Sequence, residues 1–269
     1  MDSFDSATAL ERRAADEFAW HVPDGWQQGR GAWGGLVVGA LVRAVTTAEP
    51  DGARRVRAVS AQLVAPAVVG EHRITVACVR RGSGTSTWTA VLADGRERLV
   101  ASVTAVLGSA RILDDGPDQS SWQVARPPDI PPFERVPRLP LGPPMGPVFA
   151  PRLRLHPASG VPTMGGPPES TGWVAYDVPP TPSAAALIGL VDAWWPASLA
   201  AMPAMRSVAT VAFSANLLID PAELDPAAPL MHHSFVSAAA EGFTSETRRL
   251  WTAGGRLVVE NLQSIVLIA

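Results

Sequence analysis

Apolar residues recur along this chain with two rhythms, and the order of the rhythms is played twice. Leu36, Val37, Ala40, Leu41, Ala44 and Val45 fall at helical spacing and predict a helix over 36–46 that is apolar on most sides. A helix without a polar face must be wrapped by other structure. Glu17–Val22 precedes it as a strand, followed by a glycine-rich loop through Gly34-Gly35. Strand-like runs follow near 54–66, 71–81, 85–93 and 98–107, and Asp94-Gly95 marks a hairpin between the last two.

The second half keeps this order. Thr171–Asp177 reads as a strand and Ser183–Trp195 as a helix rich in alanine and leucine, limited by Pro196 and Pro203. Strand-like runs near 206–219, 231–239, 244–252 and 256–268 complete it. One nearly all-apolar helix against an antiparallel sheet, made twice, is an α+β arrangement with the helix as filling.

The letters repeat as well as the rhythm. Arg81-Gly82-Ser83-Gly84-Thr85-Ser86, Asp94-Gly95 and Leu99-Val100-Ala101-Ser102-Val103-Thr104 return as Ala240-Glu241-Gly242-Phe243-Thr244-Ser245, Ala253-Gly254 and Val258-Val259-Glu260-Asn261-Leu262-Gln263. Leu41-Val42-Arg43-Ala44 aligns by eye with Leu190-Val191-Asp192-Ala193, and Val59-Ser60-Ala61-Gln62 with Ala209-Thr210-Val211-Ala212. In this alignment Arg43, Ser60 and Thr104 oppose Asp192, Thr210 and Gln263. A shared apolar frame with one polar set suited to handling water implies one working site and one retired site.

Residues 114–170 hold more than half of the 26 prolines, a density that supports neither a helix nor an interior strand. The expected organisation is therefore an N-terminal module over 1–113, a proline-rich extended linker over 114–170 and a C-terminal module over 171–269.

Composition narrows the function. A net charge of -3 gives no footprint for nucleic acid, and every basic residue is arginine, so a lysine Schiff base is excluded. The single cysteine, Cys78, lies in an apolar run, has no partner for an intramolecular disulfide and reads as a buried structural thiol. No apolar stretch reaches the ~18 residues of a membrane span. The first residues lack the basic and apolar regions of a secretory signal, so a soluble cytoplasmic protein is expected.

Asp192 is the only charge in the predicted second helix, and an unpaired buried carboxylate is costly. It therefore reads as half of a structural pair with an arginine, as a position on an exposed edge of the helix, or as a working group. Thr210 and Gln263 stand in apolar strands, each a weak signal alone. A carboxylate with two neutral hydrogen-bonding groups to fix a water would make a general-base hydrolase site.

This set resembles the type II acyl-CoA thioesterases, which have the double hotdog fold. The resemblance rests on Leu190-Val191-Asp192-Ala193, Val208-Ala209-Thr210-Val211, Val259-Glu260-Asn261-Leu262-Gln263, Gly34-Gly35 and Arg80-Arg81-Gly82, and covers roughly 15–110 and 171–269. It implies two tandem antiparallel sheets, each wrapped around a long central helix. It also implies a catalytic Asp192 with Thr210 and Gln263 holding the attacking water, and an acyl-CoA or acyl-carrier-protein thioester as substrate in lipid metabolism. No cofactor and no metal are expected, and the double hotdogs are expected to form a homo-oligomer.

The chain departs from the family pattern in two places. Ala212-Phe213-Ser214 stands where an Asp-His pair often follows the threonine, and the first helix opens with Ala32-Trp33-Gly34-Gly35. Gly34 and Gly35 would leave helix N-terminal amides open to a substrate oxyanion, or form an ordinary turn into the helix. For the phosphates of CoA, Arg54, Arg55, Arg57 and Arg81 are the candidates. The five histidines, including His232-His233, show no metal-ligand spacing, and no Gly-x-Ser-x-Gly elbow is present. Two rival functions stand beside hydrolysis: a hotdog hydratase or dehydratase, and a non-catalytic acyl-thioester binding module.

Overall fold

A computed structural model describes residues 3–111 and 121–268; positions 114–120 of the expected linker lie outside them. The first half runs α1 (Phe4–Ala7), β1 (Glu11–Arg12), β2 (Glu17–Val22), β3 (Gln27–Gln28), β4 (Gly31–Ala32), α2 (Gly34–Ala48), β5 (Arg55–Leu63), β6 (Gly70–Arg81), β7 (Thr85–Ala93) and β8 (Leu99–Gly108). The second runs β9 (Leu153–Ser159), β10 (Glu169–Tyr176), α3 (Ala184–Asp192), α4 (Ser198–Ala201), β11 (Val208–Leu217), β12 (Leu230–Ala240), β13 (Phe243–Trp251) and β14 (Leu257–Leu267).

Twelve strands form one antiparallel sheet in the order β1-β2-β6-β7-β8-β5-β11-β14-β13-β12-β10-β9. The order is a mirror: β2-β6-β7-β8-β5 meets β11-β14-β13-β12-β10. The two expected sheets join edge to edge where β5 pairs with β11, from Ala212↔Gln62 to Asn216↔Ala58. This pairing leaves neither central edge open, which removes a template for aggregation.

The two central helices pack on each other inside the curved sheet. They approach closely because each carries a glycine where Phe4 is wedged. A Cβ at Gly39 would lie 2.8 Å from Phe4 Cζ and one at Gly189 2.9 Å from Phe4 Cε2. Ser183 caps α3, its Oγ accepting the Ala186 amide at 3.2 Å. The helix ends at Asp192 rather than at Trp195, and the chain turns through Pro196 into α4.

The proline-rich segment does more than link. Its strand β9 takes the outer edge of the sheet, a place where Pro157 costs no ladder bond. Ala125, Ile130, Phe133 and Val136 cover Trp173, Met231, Trp251 and Leu257. Trp173 Nε1 donates to the Pro131 carbonyl at 2.9 Å, and Gln123 bonds Gly255 and Leu257. The described part of this segment is thus fastened over the second half, and through Phe149, stacked on Trp33, to the first half as well.

Candidate active site

The structure brings Asp192, Thr210 and Gln263 together from α3, β11 and β14. Gln263 Nε2 donates to Asp192 Oδ1 at 2.8 Å, and Thr210 Oγ1 donates to Gln263 Oε1 at 2.8 Å. Gln263 Nε2 also donates to Asn261 Oδ1 at 3.0 Å, and Asn261 Nδ2 to the Ser214 carbonyl at 2.8 Å. Acceptors on one side and a hydroxyl donor on the other assign the Gln263 amide its orientation. Asp192 is 9% exposed and Gln263 1%, while Thr210 is half-buried.

Asp192 sits against the first turn of α2. A Cβ on Gly34 would be 3.0 Å from Asp192 Oδ2, and one on Gly35 3.1 Å from Asp192 Cβ, so only glycine admits the carboxylate this near. The Gly35 amide faces the same carboxyl. The Trp33 indole donates to the Asp192 carbonyl at 3.1 Å, fixing the end of α3 to the start of α2. The positive end of the α2 dipole therefore points at Asp192. Burial raises the Asp192 pKa above 3.8, opposed by Arg248, Gln263, Gly35 and Trp33.

Two charged neighbours escaped the sequence reading. Arg248 Nη1 lies 3.6 Å from Asp192 Oδ1, and Arg248 Nε donates to Glu246 Oε1 at 2.8 Å. Glu246 is 0% and Arg248 1% exposed. Their signal lies in the phase of β13: Thr244, Glu246, Arg248 and Leu250 alternate onto the face that carries the buried Leu250. His232 is also buried, stacked on Trp194 with ring centroids 4.6 Å apart. Burial first, then Arg248 and His233, hold its pKa well below 6.5, so the ring is neutral.

One further expectation is corrected. Cys78 is exposed, because β6 outruns the core and bulges between Cys78 and Arg80. The arginines considered for phosphate are engaged within the protein: Arg54 with Asp51, Arg55 with Asp220, Arg81 with Glu49, and Arg57 with the Gly108 carbonyl. Burial pushes the Glu49 pKa up, but Arg81, Ser86 and Trp88 hold it down to about 2.

The alignment of the repeat by eye is off by one residue in the helix and in the last strand, and further in β5. Matching bulges set the true register: Val56/Ala58 in β5 with Thr210/Ala212 in β11, Cys78/Arg80 with Val236/Ala238, and Leu92/Ala93 with Leu250/Trp251. Thr210↔Ile265 then corresponds to Val56↔Leu107, and Glu246↔Gln263 to Trp88↔Ala105. Gly39 and Gly189, both against Phe4, align Val42 with Asp192.

The counterparts of Asp192, Thr210 and Gln263 are therefore Val42, Val56 and Ala105, buried at 0%, 4% and 0% exposure. Ser60 and Thr104 are exposed, and Arg43 pairs with Asp5 at 2.7 Å. The first half lacks the polar set altogether.

Among the described residues, no group of three or more His, Cys, Asp or Glu could hold a metal ion, and no helix is long and apolar enough to cross a membrane.

The acyl-CoA thioesterase N-terminal domain model matches residues 22–108, and the acyl-CoA thioesterase C-terminal domain model matches residues 123–267. Among solved structures, the chain is similar to a conserved hot dog fold protein of Alicyclobacillus acidocaldarius, at 23% identity and a TM-score of 0.90, covering 100% of this chain and 99% of that one. It is also similar to the tesB protein of Mycobacterium avium subs paratuberculosis, at 14% identity, a TM-score of 0.80 and coverage of 99% and 98%. Acyl-CoA thioesterase II TesB2 of Mycobacterium marinum shows 14% identity, a TM-score of 0.78 and the same coverage. At these identities the structural likeness bears on the fold alone. No curated protein matches the chain.

Proposed function

The chain belongs to the acyl-CoA thioesterase family, and on that premise we propose that Asp192 is the general base of its single working site. The protein is a thioester hydrolase of double hotdog fold. In the proposed step, water held at the Thr210 hydroxyl, which Gln263 orients, attacks the thioester carbonyl as Asp192 takes its proton. The tetrahedral intermediate expels the CoA thiolate, which recovers the proton, and a carboxylic acid leaves. The Gly34 amide at the start of α2 would meet the oxyanion, while the Gly35 amide donates to Asp192.

The observation that carries this reading is the bonded run from Thr210 through Gln263 to Asp192, which the other half replaces with Val56, Ala105 and Val42. Thr210 fixes the Gln263 oxygen, so the Gln263 amide can only donate toward Asp192 and leaves that carboxylate as the acceptor. A base with a raised pKa also accepts a proton more readily near neutral pH.

Purified protein incubated with short, medium, long and aromatic acyl-CoA esters should release free thiol with no change in enoyl absorbance. Enoyl change without thiol would point to a hydratase, and binding without either to a non-catalytic module. The matching acyl-carrier-protein ester serves as a competitor and decides between the two carriers. Self-association of double hotdogs is checked by sedimentation velocity, and a cytoplasmic location by fractionation.

Gln263→Ala should lower kcat at least ~10-fold, about 1.4 kcal/mol of transition-state stabilisation, whereas Thr104→Ala should stay within a few-fold. Turnover of folded Gln263→Ala within a few-fold of wild type would remove Gln263 from the site.

The pH profile supplies a further check. Asp192 works only when ionised, so kcat/KM should fall as pH drops through its pKa. Because burial raises that pKa, the acid limb should lie above the ordinary value of 3.8. A limb at or below that value would remove Asp192 as the titrating group.

A further inference from the structure

The charges behind Asp192 take no part in the proposed attack, yet they occur only in the half that carries it. At the matching places of the first half stand Trp88 for Glu246, Ala90 for Arg248 and Val103 for Asn261. A buried ion pair is weak evidence for stability, and the first half has no charge at these places; its buried carboxylate, Glu49, comes from the end of α2 and pairs with the half-exposed Arg81.

We propose that Glu246 and Arg248 are positioning residues for Asp192: Glu246 clamps the guanidinium 3.6 Å from Asp192 Oδ1, near enough to favour the carboxylate but beyond a direct hydrogen bond, and so sets how readily Asp192 takes a proton. The inference rests on the reading of Asp192 as the base.

The clamp is built on three sides. Arg248 Nε donates to Glu246 Oε1 at 2.8 Å, and Arg248 Nη1 donates to the Trp194 carbonyl at 3.0 Å. The other Glu246 oxygen, Oε2, accepts the Ala197 amide at 2.8 Å. Both carboxylates accept neutral donors, the Ala197 amide for Glu246 and Gln263 Nε2 with the Gly35 amide for Asp192, but only Glu246 bonds the guanidinium directly.

Two carboxylates share one cation in a buried cluster, so a proton entering it goes to the carboxylate with the weaker hold on Arg248. That carboxylate is Asp192. A guanidinium in bidentate contact would fix the charge on Asp192 and weaken it as a base. With no guanidinium at all, burial would meet less opposition and the carboxyl would hold its proton more tightly.

The other groups facing Asp192 do not supply this adjustment. The first turn of α2 offers Trp33, Gly34 and Gly35, none of them titratable. Tyr176 on β10 stays protonated, its pKa raised first by burial and also by Asp5 and Asp192, and it donates to the Ala186 carbonyl. His232 on β12 is neutral. Thr210, Asn261 and Gln263 on β11 and β14 carry no charge.

The test is a carbon-13 carboxyl titration of the whole protein, with the Asp192 signal identified by its loss in Asp192→Asn. In Glu246→Gln the guanidinium is freed toward Asp192, and the Asp192 midpoint should move down by ~1 pH unit or more. In the double variant Glu246→Gln/Arg248→Met it should move above the wild-type midpoint. A structural role alone would not move the midpoint in opposite directions. If Glu246→Gln does not fold, Arg248→Lys keeps the charge but loses the clamped fork, and the midpoint should rise.

Unchanged midpoints, or a rise in Glu246→Gln, would overturn the inference. The acid limb of kcat/KM should follow the titration. Wild-type turnover in Asp192→Asn would instead refute the base assignment and leave the order of midpoints intact, so the two failures are distinguishable.

Discussion

Asp192→Asn is expected to lower thioester hydrolysis by at least ~10²-fold, the low end of what a positioned general base contributes, while acyl-CoA binding changes little. The amide oxygen can still accept from Gln263 Nε2, so the shape of the site is kept. Its nitrogen cannot take the proton from water. Burial makes the wild-type carboxylate costly to ionise, so the substitution should leave stability within about 1 kcal/mol near neutral pH.

Its pH dependence has a definite sign. The folded protein holds the Asp192 proton more tightly than the unfolded chain. Wild-type stability therefore declines, relative to the variant, as pH rises from the unfolded pKa through the raised folded one. Turnover by the purified variant within a few-fold of wild type would exclude Asp192 from the chemistry.

Glu246→Ala should be the most damaging of these substitutions to the fold, costing about 3–5 kcal/mol. It strips Arg248 of the contact at 2.8 Å and the Ala197 amide of its acceptor, in a place where neither group reaches water. Asp192, at 3.6 Å, compensates only in part. Removing both charges should cost less than removing one, so Glu246→Leu/Arg248→Met is expected to be more stable than Glu246→Ala. Denaturant unfolding of the three proteins decides it, and the reverse order would mean that the cluster is not electrostatically coupled.

Much of the fold was legible because α2 and α3 are so apolar. Ten consecutive or near-consecutive residues from Gly35 to Val45 are buried, and α3 has no charge before Asp192. Such helices require a sheet around them, and the alternating runs supply its strands. The polar set was legible through the family resemblance, since Thr210 and Gln263 carry no distinctive pattern of their own.

The repeat was visible but its register was not. Gly95 and Gly254 look equivalent in sequence, yet the left-handed residues of the two hairpins are Glu97, at φ 60°, and Gly255, at φ 81°. A slip of one residue moves every side chain to the other face of a strand. It exchanged the buried Ala105 for the exposed Thr104. Glu246 and Arg248 were hidden for a related reason: charges alternating along a strand look like a solvent face until the phase is fixed by Leu250. The edge strand β9 was obscured by proline, which rules out interior strands but permits one at a border.

The pairing of β5 with β11 has a consequence for how such a site can change. Were the two halves separate, identical chains related by a two-fold axis, every inward substitution would appear twice. A buried Asp-Arg-Glu set would then face its own copy across the helix pair, and the desolvation of six charges rather than three would fall on one core. Joining the halves in one chain frees each from its mirror image. One half can keep Val42, Val56, Trp88 and Ala90 as dry scaffold, while the other accumulates charge beside it.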